Sequence, residues 1–246
     1  MLNPTIHKKI LIQILKSIYS DSQIGSSLGF KGGTAALMFY NLPRFSVDLD
    51  FDLLNISQED QVFKKLPLLL AQFGELFESR KKRFTLFFLL SYKKGERMVK
   101  IEISRRPTPS SYEIKSYLGI PMKVVSQSDM VAGKMAALVT RKKLAARDIF
   151  DTWFFLQNNW EPNETTLLQK TGLSKPMVLQ KAIKIIQNLD QPKFLEGLGE
   201  LVDEGQKYWI KNKLKDEILF LLKRVKNPAS LRLVLSVLRS IVKEWS

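Results

Sequence analysis

Three aspartates alternate with apolar residues in one short segment of the chain. Asp48, Asp50 and Asp52 are separated by Leu49 and Phe51. Because side chains alternate between the faces of a β-strand, a strand here would place the carboxylates on one face and the apolar side chains on the other. Neighbouring carboxylates repel one another, and a bound cation relieves that repulsion. Aspartate oxygens without histidine or cysteine favour a hard ion, Mg²⁺ or Mn²⁺.

A glycine turn lies thirteen residues before this segment. Gly32 and Gly33 are followed by Thr34, which we expect to cap a helix over residues 35–40. Glycines let the backbone approach a ligand closely, and the N–H groups of a helix N-terminus beside a hydroxyl can hold a phosphate. A phosphate site next to a metal-binding strand suits phosphoryl or nucleotidyl transfer, in which two metal ions clamp the attacking and leaving oxygens.

A further carboxylate lies in a second alternating segment. Lys100 and Glu102 fall on one face of a predicted strand over residues 97–104. If this strand lies beside the aspartates, Glu102 completes a carboxylate triad and either binds the metal that activates the attacking hydroxyl or accepts its proton. The alternative is that Glu102 is a surface ion-pair partner of Lys100.

The elements around these residues change character near residue 125. Helical spacing covers residues 4–19 and a stretch that begins at Ser57 and runs through Leu76. Strand-like segments cover residues 28–31, 45–53, 84–92, 97–104, 112–118 and 122–125. Beyond Ser126 the pattern is helical, with proline and asparagine breakers. We therefore predict an α/β (α+β) fold with a catalytic domain over residues 1–125 and an all-helical domain over residues 126–246.

The composition excludes several kinds of chemistry. The chain has no cysteine and one histidine, which removes disulfides, thiolate zinc sites and cysteine nucleophiles. We expect the histidine, His7, to be a solvated helix residue. With 45% hydrophobic and 26% charged residues, the composition is that of a globular protein. The sequence shows no membrane span and no signal peptide, so a cytoplasmic protein is expected.

The positive charge is concentrated in two regions. The formal net charge is +15. Residues 80–147 hold seventeen basic and four acidic residues, and residues 207–246 hold ten basic and three acidic residues. Clusters of this kind suit a polyanionic substrate, because each neutralised phosphate releases counterions. The predicted RNA-binding residues are Arg80, Lys81, Lys82, Arg83, Arg141, Lys142 and Lys143. Without the signature of an RNA-binding module, we expect RNA to be bound by shape and backbone.

The motifs together resemble a known family. Residues 31–34 (Lys-Gly-Gly-Thr) and 43–51 (Pro-Arg-Phe-Ser-Val-Asp-Leu-Asp-Phe) are similar to the signature of the AbiEii/AbiGii (MenT-like) nucleotidyltransferase toxins of the DNA polymerase β superfamily. The resemblance continues with Lys134, Arg141 and the segment from Arg147 to Asp151. It implies a polymerase-β-like nucleotidyltransferase domain with a mixed sheet.

The resemblance also implies roles for individual residues. Asp48 and Asp50 would be catalytic metal ligands, and Glu102 would be a weaker third ligand. The nucleotide triphosphate would be held by Gly33, Thr34, Arg44, Ser46 and Lys134, and Lys134 would also be a catalytic residue. Asp148 would be a catalytic acidic residue that holds or orients the nucleotide. Asp52 lies one repeat too late for the motif and is left out.

The implied function is that of a toxin. The protein would use Mg²⁺ or Mn²⁺ to transfer nucleotides from an NTP to the 3′ acceptor end of tRNA, block translation and be neutralised by a cognate antitoxin protein. Two alternatives remain from the residues themselves. One is a nucleotidyltransferase that acts on a small molecule or a protein side chain, and the other is a non-catalytic RNA-binding module.

Overall fold

The computed structural model describes residues 2–226. Three basic residues of the C-terminal region, Arg232, Arg239 and Lys243, lie outside this part of the chain. The chain divides into two compact units, Met1–Met130 and Val131–Ser246, and the division falls within a helix, Gln127–Thr140.

The first unit contains a seven-stranded sheet and four helices that precede or interrupt it. The strands are β1 (Leu28–Lys31), β2 (Leu49–Leu53), β3 (Glu75–Lys81), β4 (Thr85–Ser91), β5 (Val99–Ser104), β6 (Tyr112–Tyr117) and β7 (Ile120–Val125). The helices are α1 (Pro4–Ser20), α2 (Ser22–Gly25), α3 (Gly32–Tyr40) and α4 (Glu59–Leu70).

The sheet is mixed, as the family resemblance implied. The strand order is β3-β4-β5-β2-β1-β7-β6. The pairs β2 with β5 and β1 with β7 are parallel, and the other neighbours are antiparallel. Because β2 lies centrally between β5 and β1, the aspartate segment is flanked on both sides by paired strands.

One face of the sheet forms the core of this unit. Leu49 and Phe51 of β2 are fully buried. Phe51 packs against Tyr19 of α1, and Phe88 of β4 packs against Phe63 of α4. The helices α1 and α4 therefore cover the apolar face, and the alternation of β2 directs its aspartates to the opposite face.

Several predicted boundaries were wrong. The helix predicted through Leu76 ends at Leu70, and β3 follows it as an unpredicted edge strand. Gly74 makes this change of direction possible, since its φ is +153° and a Cβ atom there would lie 2.2 Å from the carbonyl oxygen of Ser91. Thr34 does not cap α3, because the helix begins at Gly32 with Lys31 in the N-cap position.

The expectation for His7 was also wrong. Its side chain is fully buried. Nε2 lies 2.9 Å from the carbonyl oxygen of Val47, and Nδ1 lies 3.0 Å from the hydroxyl of Tyr92. Burial lowers the pKa of His7. These contacts tie α1 to the backbone immediately before Asp48, a relation between distant segments that helical spacing does not reveal.

The second unit is helical throughout its described part. Its helices are the end of α5 (Gln127–Thr140), α6 (Ala146–Gln157), α7 (Glu164–Thr171), α8 (Lys175–Gln187), α9 (Glu204–Asn212) and α10 (Leu214–Lys226). The helix α10 packs against α6 and α8. Within residues 2–226, no helix has the length and apolarity needed to cross a membrane.

Candidate active site

The pairing of β2 with β5 brings two of the predicted carboxylates together. Asp50 lies directly opposite Glu102 in the parallel ladder, and opposite Lys31 in the antiparallel ladder with β1. Opposite residues on adjacent strands project to the same face. Asp50 and Glu102 are therefore neighbours on the face away from α1 and α4.

A lysine bridges two carboxylates on this face. Lys100 Nζ lies 3.2 Å from Asp48 Oδ2 and 3.1 Å from Glu102 Oε2. Burial opposes the charge of Lys100, but Asp48, Glu102 and Asp50 outweigh it and raise its pKa. The predicted ion pair between Lys100 and Glu102 is thus present, and Lys100 places a positive charge between the two carboxylates.

Asp50 lies in an unfavourable electrostatic position. Burial, followed by the charge of Asp48, raises the pKa of Asp50, and Lys100 and Lys31 oppose this shift only in part. A Cβ atom at Gly32 would lie 2.5 Å from Asp50 Oδ2, so the glycine turn and the carboxylate are in close contact. The surroundings of Asp50 therefore destabilise its ionised form unless further positive charge is present.

Asp52 has satisfied partners and differs from Asp50 in this respect. Its Oδ1 lies 2.5 Å from Lys31 Nζ, and its Oδ2 accepts a hydrogen bond of 2.6 Å from the Tyr112 hydroxyl. The Tyr112 ring passes over Gly29, where a Cβ atom would lie 2.2 Å from the ring. Asp52 thereby links β1, β2 and β6.

The glycine turn places the start of α3 beside Asp50. Gly32 has a φ of +81°, a left-handed conformation that glycine adopts without strain. Lys31 at the N-cap makes no side-chain hydrogen bond to the first turn of α3. The first backbone N–H groups of the helix are thus not capped by a side chain of that residue, which suits an anionic ligand.

The remaining predicted nucleotide contacts of this unit pack against the turn. The Thr34 side chain is fully buried, and its hydroxyl lies within hydrogen-bonding distance of Ser46 Oγ (2.9 Å) and the carbonyl oxygen of Asp48. Arg44 is buried, and a Cβ atom at Gly33 would lie 2.6 Å from Arg44 Nη2. The Thr34 hydroxyl therefore connects the start of α3 to the aspartate segment.

Two of the predicted residues lie in the helical unit and form a cluster there. Lys134 Nζ lies 3.0 Å from Asp148 Oδ1 and 2.8 Å from Asp151 Oδ2, and both aspartates are buried. Arg141 Nη1 lies 2.9 Å from Asp148 Oδ2. Lys134 of α5 and Arg141, directly after that helix, thus bring two cations to two buried carboxylates of α6.

The predicted RNA-binding residues fall into three groups. Several have carboxylate partners: Arg80 pairs with Glu78, Lys81 with Glu59 and Asp60, Arg141 with Asp148 and Lys143 with Glu196. Lys82 and Arg83 instead lie over aromatic rings, and Lys142 is exposed. The charge available to a polyanion is therefore smaller than the sequence count indicated.

Sequence reasoning missed Lys31 and Tyr112 as neighbours of the carboxylates. Both act on Asp52. Lys31 belongs to the motif itself, and its position at the end of a strand was a usable signal. Tyr112 comes from β6, which is not adjacent to β2, so no local pattern pointed to it.

A family model and two solved structures are similar to this chain. Residues 13–213 match the family model described as nucleotidyl transferase AbiEii toxin, type IV TA system. The crystal structure of JHP933 from Helicobacter pylori is similar with a TM-score of 0.60 and 18% identity, covering 97% of this chain and 100% of that chain. A putative nucleotidyltransferase from H. pylori has the same TM-score and identity, covering 92% of this chain and 96% of that one. No curated protein matches by sequence.

Proposed function

The chain belongs to the AbiEii family of nucleotidyltransferase toxins of type IV toxin–antitoxin systems, and we propose that it transfers nucleotides from an NTP to the 3′ acceptor end of tRNA. The family implies an NTP substrate and an antitoxin partner. The acceptor, the metal requirement and the roles of individual residues are our proposals.

The observation that carries the proposal is the pairing of β2 with β5 beside the glycine turn. It sets Asp50 opposite Glu102, and Gly32 touches Asp50 at the start of α3. A carboxylate cluster that adjoins backbone N–H groups combines a site for cations with a site for phosphates. Nucleotidyl transfer requires both next to the reacting phosphorus.

The donor set fits a hard divalent cation in its chemistry. Asp48, Asp50 and Glu102 supply oxygen ligands, burial and then the charge of Asp48 raise the pKa of Asp50, and Lys100 already places a cation between the other two. Among the described residues, no group of three or more potential ligands is gathered as closely as a bound ion requires. When bound at Asp48, Asp50 and Glu102, Mg²⁺ or Mn²⁺ supplies charge stabilisation of the attacking and leaving oxygens.

The chain's own residues account for the other steps of the proposed reaction. The acceptor 3′-hydroxyl gives its proton to Glu102, and its oxygen forms a bond to the α-phosphorus of the NTP. The bond between that phosphorus and the β-phosphate oxygen breaks, and pyrophosphate leaves. The backbone N–H groups of Gly33 and Thr34 bind the phosphates, with Arg44 and Ser46 beside the same turn as further nucleotide contacts. The Thr34 hydroxyl also holds the aspartate segment in place.

Lys134 and Asp148 have support for two roles. The family resemblance supports contact with the nucleotide. Their ion pair, with Asp151 buried beside them, supports a role in the packing of the helical unit. We retain them as proposed nucleotide contacts whose substitution also affects stability.

The proposal is tested by incubating the protein with each labelled NTP, MgCl₂ and total tRNA. We expect label at the 3′ end of tRNA, and its loss both in EDTA and in the Asp50→Asn variant. The matched control is Asp52→Asn, which lies on the same strand face but is held by Lys31 and Tyr112. Transfer by that variant should persist per folded molecule.

Other outcomes select the alternatives. Label on a small molecule or on protein, with tRNA unlabelled, would identify a nucleotidyltransferase with another acceptor. RNA binding without transfer, unchanged in Asp50→Asn, would leave only a binding module.

A further inference from the structure

Three cations lie against aromatic rings at the turn between β3 and β4. Lys82 Nζ lies 3.2 Å from the centre of the Phe87 ring. The guanidinium groups of Arg83 and Arg106 lie 4.9 Å and 4.2 Å from the centre of the Phe84 ring. We name these five residues the tip cluster. Contact with a ring face restrains a long basic side chain without neutralising its charge.

The absence of carboxylates distinguishes the tip cluster from the other basic groups. Over residues 2–226, no carboxylate forms an ion pair with Lys82, Arg83 or Arg106, whereas Lys81 next to them pairs with Glu59 and Asp60. The alternation of β3 explains the difference, because Lys81 lies opposite the buried Leu86 and so points toward α4. The tip cluster therefore presents three positive charges to solvent.

The backbone of this turn is firmly held. Arg105 donates from Nη1 to the carbonyl oxygen of Lys82 at 2.9 Å, and its Nε lies 2.6 Å from Glu59 Oε2. The backbone N–H of Arg105 also donates to the carbonyl oxygen of Phe84. Charges fixed in this way need little further ordering when an anion binds, which lowers the entropic cost of binding.

The sheet register connects the tip cluster to the carboxylates. Phe87 lies directly opposite Glu102 in the pairing of β4 with β5, and Glu102 lies opposite Asp50. All three side chains project to the same face. At a strand spacing of about 4.8 Å, Phe87 is one strand from Glu102 and about 10 Å from Asp50. Lys82 lies on the same face. Its backbone exchanges hydrogen bonds with that of Thr85, two residues before Phe87 on β4, and its Nζ lies over the Phe87 ring.

We propose that the tip cluster binds the phosphodiester backbone of the RNA acceptor next to its reacting 3′ end. Lys82, Arg83 and Arg106 contact phosphates, and Phe84 and Phe87 hold these cations in position. The inference rests on the proposed RNA acceptor. It assigns Arg106, Phe84 and Phe87 to RNA binding and removes Lys81, whose charge is used within the fold.

The test measures binding of a fluorescein-labelled tRNA transcript by anisotropy, without NTP, from 50 to 300 mM KCl. The variant Lys82→Gln/Arg83→Gln/Arg106→Gln should bind at least about tenfold more weakly at 0.1 M salt. The slope of log K against log[salt] should become shallower by about 2, since each contact to a single-stranded phosphate contributes about 0.7. A melting curve checks that the variant is folded.

Two matched controls separate the site from general charge. The variant Lys9→Gln/Lys93→Gln/Lys94→Gln removes the same charge from exposed lysines, two of which lie beyond the opposite end of β4. Phe84→Leu should weaken binding, whereas Phe77→Leu, an exposed phenylalanine on the same hairpin, should not. Equal weakening by both triple variants would overturn the inference.

Failure of this inference can be told apart from failure of the proposed function. If the wild type labels tRNA and the tip variant keeps both its KM for tRNA and its salt slope, the tip cluster does not bind the acceptor. If the wild type transfers no nucleotide but the tip variant still loses tRNA binding, the tip inference stands and the proposed reaction fails. Unchanged tRNA binding with lost binding of an acidic partner protein would also refute the inference.

Discussion

Asp50 and Asp52 lie two residues apart on the same face of β2, but the same substitution should have opposite effects on stability. Asp50→Asn should abolish nucleotide transfer and raise the melting temperature. Asp52→Asn should lower the melting temperature and leave the chemistry of the folded protein in place. The difference follows from their surroundings. Asp52 contacts Lys31 and Tyr112, whereas burial and the charge of Asp48 disfavour the ionised form of Asp50.

The expected gain at Asp50 follows from its raised pKa. Since the folded protein holds the proton of Asp50 more tightly than the unfolded chain does, stability is lost as pH rises above the unfolded pKa of about 3.9, and the cost persists at neutral pH. Asparagine removes that cost, which we set at about 1 kcal/mol, or about 2–4 °C for a chain of this size. The gain should vanish as pH falls toward 4.

The expected loss at Asp52 follows from its contacts. The Asp52 carboxylate is 4% exposed and lies 2.5 Å from Lys31 Nζ, which is 30% exposed. Asparagine keeps an acceptor for the Tyr112 hydroxyl but leaves Lys31 without its counter-charge. We expect a loss of about 2 kcal/mol, or about 4–8 °C.

The assay is differential scanning calorimetry at pH 7.5 in low salt with EDTA, beside the transfer assay for each variant. Adding MgCl₂ should raise the melting temperature of the wild type more than that of Asp50→Asn. The reasoning is refuted if Asp50→Asn destabilises the protein as much as Asp52→Asn does, or if it leaves transfer unchanged.

Substitutions at three other residues test separate parts of the structure. Without metal, Lys100→Met should lower the free energy of unfolding by about 1 kcal/mol. Added Mg²⁺ should then raise the melting temperature of this variant, measured by calorimetry, more than that of the wild type. An equal rise in both proteins would contradict the bridging role of Lys100. Burial lowers the pKa of His7, so the contribution of His7 to stability is complete above the unfolded pKa of about 6.5 and is lost as pH falls below it. The variant His7→Gln should therefore flatten the dependence of melting temperature on pH between 7 and 5. An unaltered profile would exclude His7 as the source of that dependence. Lys134→Met should lower the free energy of unfolding, measured in urea, by about 3–5 kcal/mol, because it leaves Asp148 and Asp151 buried with less counter-charge. Lys134→Arg should recover part of this loss. A loss below about 1 kcal/mol would argue against a structural role for Lys134.

Local pattern was sufficient for much of the fold. The helix from Pro4 ends within one residue of its predicted end, and β1, β4, β5 and β6 lie within their predicted segments. Family membership, predicted from the motifs around Gly33 and Asp48, is confirmed by the match over residues 13–213. Periodicity and turn residues are local properties, so they identify elements whose faces differ strongly in polarity.

The errors occurred where a distant contact overrides the local pattern. β3 carries little apolar alternation, and only its pairing with β4 makes it a strand. His7 is polar and lies in a polar stretch, yet the carbonyl oxygen of Val47 and the hydroxyl of Tyr92 satisfy it in the core. Propensity and spacing contain no information about such partners.

The sequence by itself determined that three aspartates alternate with apolar residues, that a glycine turn precedes them and that the chain has no cysteine and one histidine. Tertiary structure decided which carboxylates meet. The register of β2 against β5 places Asp50 opposite Glu102, and contacts from β1 and β6 commit Asp52 to the fold. It also separated the basic residues into those neutralised by carboxylates and those held against rings. The physical reason is that electrostatic interactions depend on distance in space, and strand pairing fixes that distance between residues far apart in sequence.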